Sequence, residues 1–339
     1  IARKVEREGM PNRRNVVLVF MESMSANLMG TFGSDKKLTP YLDSLYQQSL
    51  SFCHFYSSGI HTNHGIYSTL YSFPAIMKRN AMKGSVIPVY SGLPTVLQEN
   101  GYCNLFFMTH ESQYDNMNAF LRTNGFDEIY AQENYPSEKV VNSFGVQDDF
   151  MYQYALPILN ERAGTGNPFF SVLLSISNHP PYVIPPYFHP HSDVLEEQIV
   201  EYADWSIRQF MQAAEKQPWF DNTIFVFLGD HGKMVGTPEC EMPQSYNHIP
   251  LMIYGKDIKP GVYDGFGGQV DVSPTLLGLL NISYLQNNFG VNLLEEERPC
   301  MFFTADNLIG ARDSVNMFIY SPDSQQEFKY KLEEGKLHA

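Results

Sequence analysis

Two apolar, β-branched runs that each end in an acidic residue constrain this chain more than anything else in it. Val16 to Met21 leads into Glu22, and Ile224 to Leu228 leads through Gly229 into Asp230. A strand with one wet face would alternate apolar and polar positions. These runs do not alternate, so they read as strands buried on both faces of a parallel sheet. Such a sheet binds ligands in the crevice beyond the carboxyl ends of its strands. His231 follows Asp230 directly, so two carboxylates and an imidazole arrive at one crevice. That donor set suits a divalent metal.

The rest of the chain extends the same architecture. Strand-like runs at 15–21, 51–56, 102–108, 168–176, 223–229 and 250–254 alternate with helix-length stretches at 39–48, 63–71, 115–124, 146–160 and 196–215. The alternation predicts an α/β sandwich around a mainly parallel sheet. A chain of 339 residues can form one large α/β domain with a subdomain. Residues 1–14 read as a linker or frayed helix continuing from a longer protein, residues 15–260 as the catalytic domain, and 261–339 as the C-terminal part. That last part is expected to open on a Gly-rich turn, add a helix near 272–280 and short strands at 300–305 and 315–320, and so form a small α+β subdomain. The proline-rich stretch 178–193 cannot be regular structure and reads as a long loop that shapes a site.

Charge excludes one class of function. A formal net charge of -14 argues against nucleic-acid binding, which needs a basic surface. No apolar run reaches the length of a membrane span. Cys53 and Cys103 lie in strand-like runs and read as buried thiols. Cys240 and Cys300 are in polar surroundings, where pairing in an oxidising compartment stays open.

Thr62, in His-Thr-Asn-His-Gly, precedes a helix-like stretch. A helix cap is the plain explanation. A helix N-terminus is also an anion site, and a nearby metal would turn the hydroxyl into a nucleophile. Gly-Asp-His-Gly at 229–232 is likewise good turn chemistry. The joint pattern of Glu22, Thr62, Asp230 and His231 is stronger than any member.

At this point the chain resembles a family. VFMES, the Thr62-Asn63-His64-Gly65 turn, Ser177-Asn178-His179-Pro-Pro-Tyr, Gly-Asp-His-Gly, NHIPLMIY and QVDVSPTLL occur in the order and spacing of the alkaline phosphatase/sulfatase superfamily. The likeness runs from about Asn15 to Leu280 and points to the lipoteichoic-acid-synthase and phosphoethanolamine-transferase branch. The resemblance implies an alkaline-phosphatase-like three-layer sandwich. It also implies one divalent ion, manganese or zinc with magnesium compatible, on Glu22, Thr62, Asp230 and His231, with Thr62 as the nucleophile that becomes phosphorylated. In the stretch 115–122, Asp115 and Arg122 match the pattern that holds glycerol phosphate, with Phe120 where those enzymes carry tryptophan. His179 and His248 then serve the substrate. Asp271, by contrast, reads as a helix cap.

Departures narrow the choice. Residues 62–66 lack the Cys/Ser-x-Pro-x-Arg of formylglycine sulfatases. Ser175 stands where two-metal relatives carry the Asp of Asp-x-x-x-His, so a single ion is expected. His61 and His64 flank the nucleophile and could touch substrate, while His54, His110, His189 and His191 stay structural or exposed by default. The resemblance thus implies a phosphotransferase moving a phosphoglycerol or phosphoethanolamine headgroup from a phospholipid to an envelope glycan or lipid acceptor. The domain would work on the extracytoplasmic face of the membrane, behind an N-terminal membrane region. Two alternatives stand beside it, a sulfatase-like hydrolase of soluble phosphodiesters or sulfuric esters, and a non-catalytic binding module.

Overall fold

The computed structural model describes residues 2–339 and places an eight-stranded sheet at the centre of the molecule. From one edge to the other the strands are Glu128–Tyr130, Cys103–Met108, Phe169–Leu174, Asn15–Met21, Thr223–Gly229, Leu251–Tyr254, Leu50–Tyr56 and Gly261–Gly268. All neighbours are parallel except Leu251–Tyr254, which runs against both of its partners. Every residue of Asn15–Met21, Phe169–Leu174 and Thr223–Gly229 is buried. Successive side chains alternate between two cores, Val16, Leu18 and Phe20 on one face and Val17, Val19 and Met21 on the other.

Helices cover both faces. Thr62–Tyr71, Leu93–Glu99, Met117–Thr123 and Val272–Leu279 bury their apolar residues in the first core. Pro40–Gln48, Asp148–Ala163 and Leu195–Ala214 do so in the second. The result is the α/β sandwich that the alternation predicts, in the three-layer form that the resemblance implies. Among the described residues no helix is long and apolar enough to cross a membrane.

Some elements differ from the sequence reading. Arg3–Val5, expected as linker or frayed helix, is a short strand antiparallel to Tyr284–Gln286. The Gly-rich turn after Pro260 is instead the edge strand Gly261–Gly268. Glycine there serves close packing. A Cβ on Gly267 would lie 2.4 Å from Leu293 Cδ1, and one on Gly268 would lie 2.3 Å from Met301 Cε. The helix at 272–279 packs on the central sheet. From Met301 the chain forms a five-stranded antiparallel meander, from Met301–Ala305 to Lys336–His338. The meander has its own small core, which also includes Tyr56, Met242 and Phe266. None of the four cysteines is disulfide-bonded.

Strand register positions the candidate site. Met21 pairs with Gly229, so the residues that follow, Glu22 and Asp230, leave the sheet side by side. The next parallel neighbour ends at Leu174, and the Ser175 hydroxyl accepts the Glu22 amide at 3.0 Å. The Thr62 helix closes over this edge because Gly65 has no side chain. A Cβ there would stand 2.3 Å from the Asp230 carbonyl oxygen, a backbone atom that cannot swing away. Gly65→Ala is therefore expected to cost about 1–3 kcal/mol of stability, read by chemical denaturation. Gly261→Ala, where a Cβ meets nothing within 4 Å, should stay within about 0.5 kcal/mol of the parent.

Candidate active site

The Thr62 hydroxyl sits between two buried carboxylates. Its Oγ1 lies 2.7 Å from Asp230 Oδ2 and 3.0 Å from Glu22 Oε2. A hydroxyl has one proton to donate, so it can satisfy only one of these oxygens at a time. His231 Nε2 faces the same carboxylates, 3.5 Å from Glu22 Oε1 and 3.5 Å from Asp230 Oδ2. Its Nδ1–H donates to the Gly232 carbonyl at 2.7 Å, which leaves the Nε2 lone pair of the neutral ring directed at the cluster.

Electrostatics in this cluster are lopsided. Burial would raise Glu22, but the hydrogen bond and charge of His231 outweigh it and hold Glu22 at about 2. Burial, with the Glu22 charge added, pushes Asp230 well above the usual carboxylate range. Burial would lower His231, yet the two carboxylates raise it to about 10. Without a further cation, protons must hold the cluster together. The ligand atoms of Glu22, Asp230 and His231 all lie within 4.8 Å of one another. Two carboxylates, a correctly presented imidazole nitrogen and a hydroxyl oxygen fit a divalent ion by chemistry and by charge.

The donors are held from behind. Asp230 Oδ1 accepts the amides of Ser23 at 2.9 Å and His231 at 2.8 Å, which leaves Oδ2 for Thr62. Ser23 adopts a left-handed φ of 52°, and its hydroxyl donates to Glu22 Oε1 at 3.2 Å. Asn178 donates to the Ser23 carbonyl at 3.2 Å, and Lys233 Nζ donates to Asn178 Oδ1 at 2.6 Å. Burial lowers the Lys233 ammonium to about 8. Neither Asn178 nor Lys233 was singled out in the sequence for this bracing role.

A pocket of about 290 Å³ opens over the cluster, lined by Glu22, Ser23, Ile60, His61, Thr62, Asn63, His110, Tyr114, Asp115, Ile176, His179, Pro180 and His231. Larger hollows of about 420 and 690 Å³ lie elsewhere and contain none of these residues. Thr62 begins the helix Thr62–Tyr71, whose first-turn amides lack helical acceptors, so the pocket floor favours an anion. Asn63 Oδ1 is buried there without a partner.

Of the residues expected to contact substrate, the pocket contains Asp115 and His179. Asp115 pairs with Lys83 Nζ at 3.2 Å. His179 Nδ1–H donates to the Pro180 carbonyl at 2.6 Å, and its ring packs on Phe144. Arg122 is not there. Met117, Phe120 and Leu121 are the buried face of their helix, which turns Arg122 outward, where Nε binds Asn118 Oδ1 at 2.9 Å. Phe120 is likewise a core residue, edge-on to Tyr71. His248 is also outside the pocket lining. Its Nε2–H donates to the Cys53 carbonyl at 2.8 Å, the ring stacks on Tyr56, and burial lowers it to about 4. These two positions are corrections to the sequence reading.

The flanking histidines divide. His61 lines the pocket and reaches Asp306 of the C-terminal meander at 2.7 Å. His64 turns away, with Nε2–H donating to the Arg79 carbonyl at 3.0 Å. His110 was passed over as structural by default, yet it lines the pocket beside Tyr114. The rule that found Glu22 and Asp230 would have found it, since it lies two residues past the end of Cys103–Met108.

The chain is similar to known proteins over most of its length. The family model described as Sulfatase matches residues 14–282. The lipoteichoic acid synthase-like protein YvgJ of Bacillus subtilis is 25% identical over 324 residues, covering 86% of this chain and 51% of its own length. A crystal structure of an alkaline phosphatase superfamily protein from Vibrio parahaemolyticus superposes with a TM-score of 0.89 at 27% identity, covering 99% of this chain and 84% of that one. The lipoteichoic acid synthase LtaP of Listeria monocytogenes has the same fold, with a TM-score of 0.82 at 24% identity, covering 96% and 86%. The chain spans about half the length of the curated relatives it matches.

The charge deficit has a measurable consequence. Binding of manganese or zinc must displace protons from His231 and Asp230, so calorimetry at pH 7 in buffers of different ionisation enthalpy should show proton release. Affinity should fall as the pH is lowered. Each ion should raise the melting temperature of the parent but not of Asp230→Asn. Equal stabilisation of both proteins would remove Asp230 from the ligand set.

Proposed function

The chain belongs to the sulfatase family, and on that premise we propose that it is a metal-dependent phosphotransferase. It moves a phosphoglycerol or phosphoethanolamine headgroup from a phospholipid to an acceptor through a phosphothreonine at Thr62. The observation that carries this reading is the Thr62 hydroxyl clasped between Asp230 Oδ2 and Glu22 Oε2 at the head of a helix. Lipoteichoic acid synthases among the relatives support the donor class.

Glu22, Asp230, His231 and Thr62 Oγ1 would hold one divalent ion, manganese, zinc or magnesium. Its chemistry there is to lower the hydroxyl pKa and to offset charge on phosphate oxygens. The chain's own residues do the rest. Asp230 and Glu22 orient Oγ1 through the hydrogen bonds at 2.7 and 3.0 Å, and its proton is lost to bulk water. Oγ1 attacks phosphorus in line, so the Thr–O–P bond forms as the bond to the diacylglycerol oxygen breaks. The helix amides above Thr62 and the Asn63 Nδ2–H would donate to the equatorial oxygens. Outside the ligand set, His61, His110 and His179 are the imidazoles lining this pocket, and one of them would protonate the departing alcohol and later deprotonate the acceptor. Asp115 and Tyr114, which line the pocket, would contact the glycerol or ethanolamine tail.

An acceptor hydroxyl then attacks phosphothreonine and regenerates Thr62. Water in its place would make the enzyme a hydrolase with the same first step. The reading puts the catalytic domain on the extracytoplasmic face of a membrane, where a phospholipid donor and an envelope acceptor meet.

Thr62→Ala should lower turnover by at least about a thousandfold, and the parent incubated briefly with phosphatidylglycerol should carry phosphoglycerol on Thr62 by peptide mass spectrometry. Diacylglycerol together with a new phosphodiester identifies transfer. Free glycerol phosphate alone identifies hydrolysis, and unchanged turnover in Thr62→Ala would overturn the nucleophile.

A further inference from the structure

Between the helices Thr62–Tyr71 and Leu93–Glu99 the chain runs without regular structure, long for a loop inside a compact domain. Its composition is unlike that of the whole. Residues 72–92 contain Lys78, Arg79 and Lys83 and no acidic residue, in a protein whose net charge is -14. The three basic side chains are exposed. So are Ile76, Val86 and Val89, at 57%, 78% and 77%. Phe289, 65% exposed, joins them at the root of the loop, edge-on to Phe73 with its amide on the Ser72 carbonyl at 3.0 Å.

The loop is anchored while its aliphatic side chains face outward. Met82 is buried in the core next to the Thr62 helix, and its carbonyl accepts Asn116 Nδ2–H at 2.7 Å. Asn124 Oδ1 accepts the Tyr90 amide at 2.7 Å. Three contacts tie the loop to residues at or beside the pocket: His64 to the Arg79 carbonyl, Lys83 to Asp115, and Met82 to Asn116. Exposed aliphatic residues interleaved with cations match the interface of an anionic bilayer, where hydrocarbon enters the headgroup boundary and each basic side chain adds to the attraction. The overall negative charge would otherwise repel that surface.

We propose that the 76–89 loop, with Phe289, docks the domain on an anionic lipid surface so that the Thr62 pocket meets headgroups at the membrane. The inference rests on the lipid-donor reading above and deepens it, naming the surface from which the donor is taken. The loop touches the pocket wall, so docking brings the headgroup layer to the nucleophile without lifting a lipid into water.

The test is flotation of the 339-residue protein with vesicles of equal parts phosphatidylglycerol and phosphatidylcholine, against phosphatidylcholine alone. The parent should float with the anionic vesicles only and release as salt is raised. Each basic residue is worth roughly a fivefold factor in partition, so Lys78→Ser with Arg79→Ser should weaken binding by about tenfold or more. Val86→Ser with Val89→Ser should weaken it as well. Both double variants should melt like the parent and hydrolyse a soluble aromatic phosphodiester at the parent rate, while turnover of vesicle phosphatidylglycerol falls with binding. Thr62→Ala should float like the parent, which separates docking from catalysis. Equal flotation of the parent and both double variants, or no preference for anionic vesicles, would overturn the docking surface. Intact docking without attack on phosphatidylglycerol would leave the surface standing and remove the lipid-donor reading.

Discussion

Two carboxylates, Glu22 and Asp230, are buried side by side and share one hydroxyl. Like charges that close in an interior repel strongly, and each also loses its hydration. The surrounding structure pins them in spite of this. Parallel register sets their separation, backbone amides of Ser23 and His231 occupy one oxygen of Asp230, and Ser175 holds the Glu22 amide. Ser23 takes a left-handed backbone at the junction, with Asn178 and Lys233 fixed behind it. A site built against its own repulsion suits a cation, and the close approach of the Thr62 helix requires a glycine where it meets the Asp230 carbonyl.

Burial also sorts the histidines. His231 keeps its Nδ1 proton on a carbonyl and turns Nε2 toward the carboxylates, while His248, on the antiparallel side of the sheet, spends its Nε2 proton on Cys53. His231 follows the apolar strand Thr223–Gly229 and His248 precedes the apolar strand Leu251–Tyr254, and both looked competent in one dimension. Their difference is which ring nitrogen the backbone occupies, and that depends on packing partners far away in the chain.

Much of the fold was legible in the chain. Central strands buried on both faces carry unbroken apolar runs, and the long amphipathic helix Leu195–Ala214 carries its period plainly, whereas the short helix Leu93–Glu99 was not read from the sequence. Shorter or glycine-rich elements were not legible. Glu128–Tyr130 is too brief to show alternation, and Gly261–Gly268 has the composition of a turn although it pairs along Leu50–Tyr56. Arg3–Val5 becomes a strand only because Tyr284–Gln286 offers it an edge. Arg122 illustrates the same limit at the site. Its spacing from Asp115 matched a phosphate-binding pattern, but the buried face of its helix is set by Met117, Phe120 and Leu121, and that turns the guanidinium to solvent.

Sequence alone determined the layered α/β architecture and the cluster of Glu22, Thr62, Asp230 and His231. Unbroken β-branched runs that end in an acid suit strands buried on both faces, which deliver the charge to the carboxyl end of the sheet. Tertiary structure decided the rest of the pocket. His110, Tyr114 and His61 reach it, whereas Arg122 and His248 do not, because helix rotation and ring-nitrogen occupancy are set by contacts between distant segments. The same long-range packing placed the basic, aliphatic 76–89 loop against the pocket wall, a juxtaposition that linear spacing cannot encode.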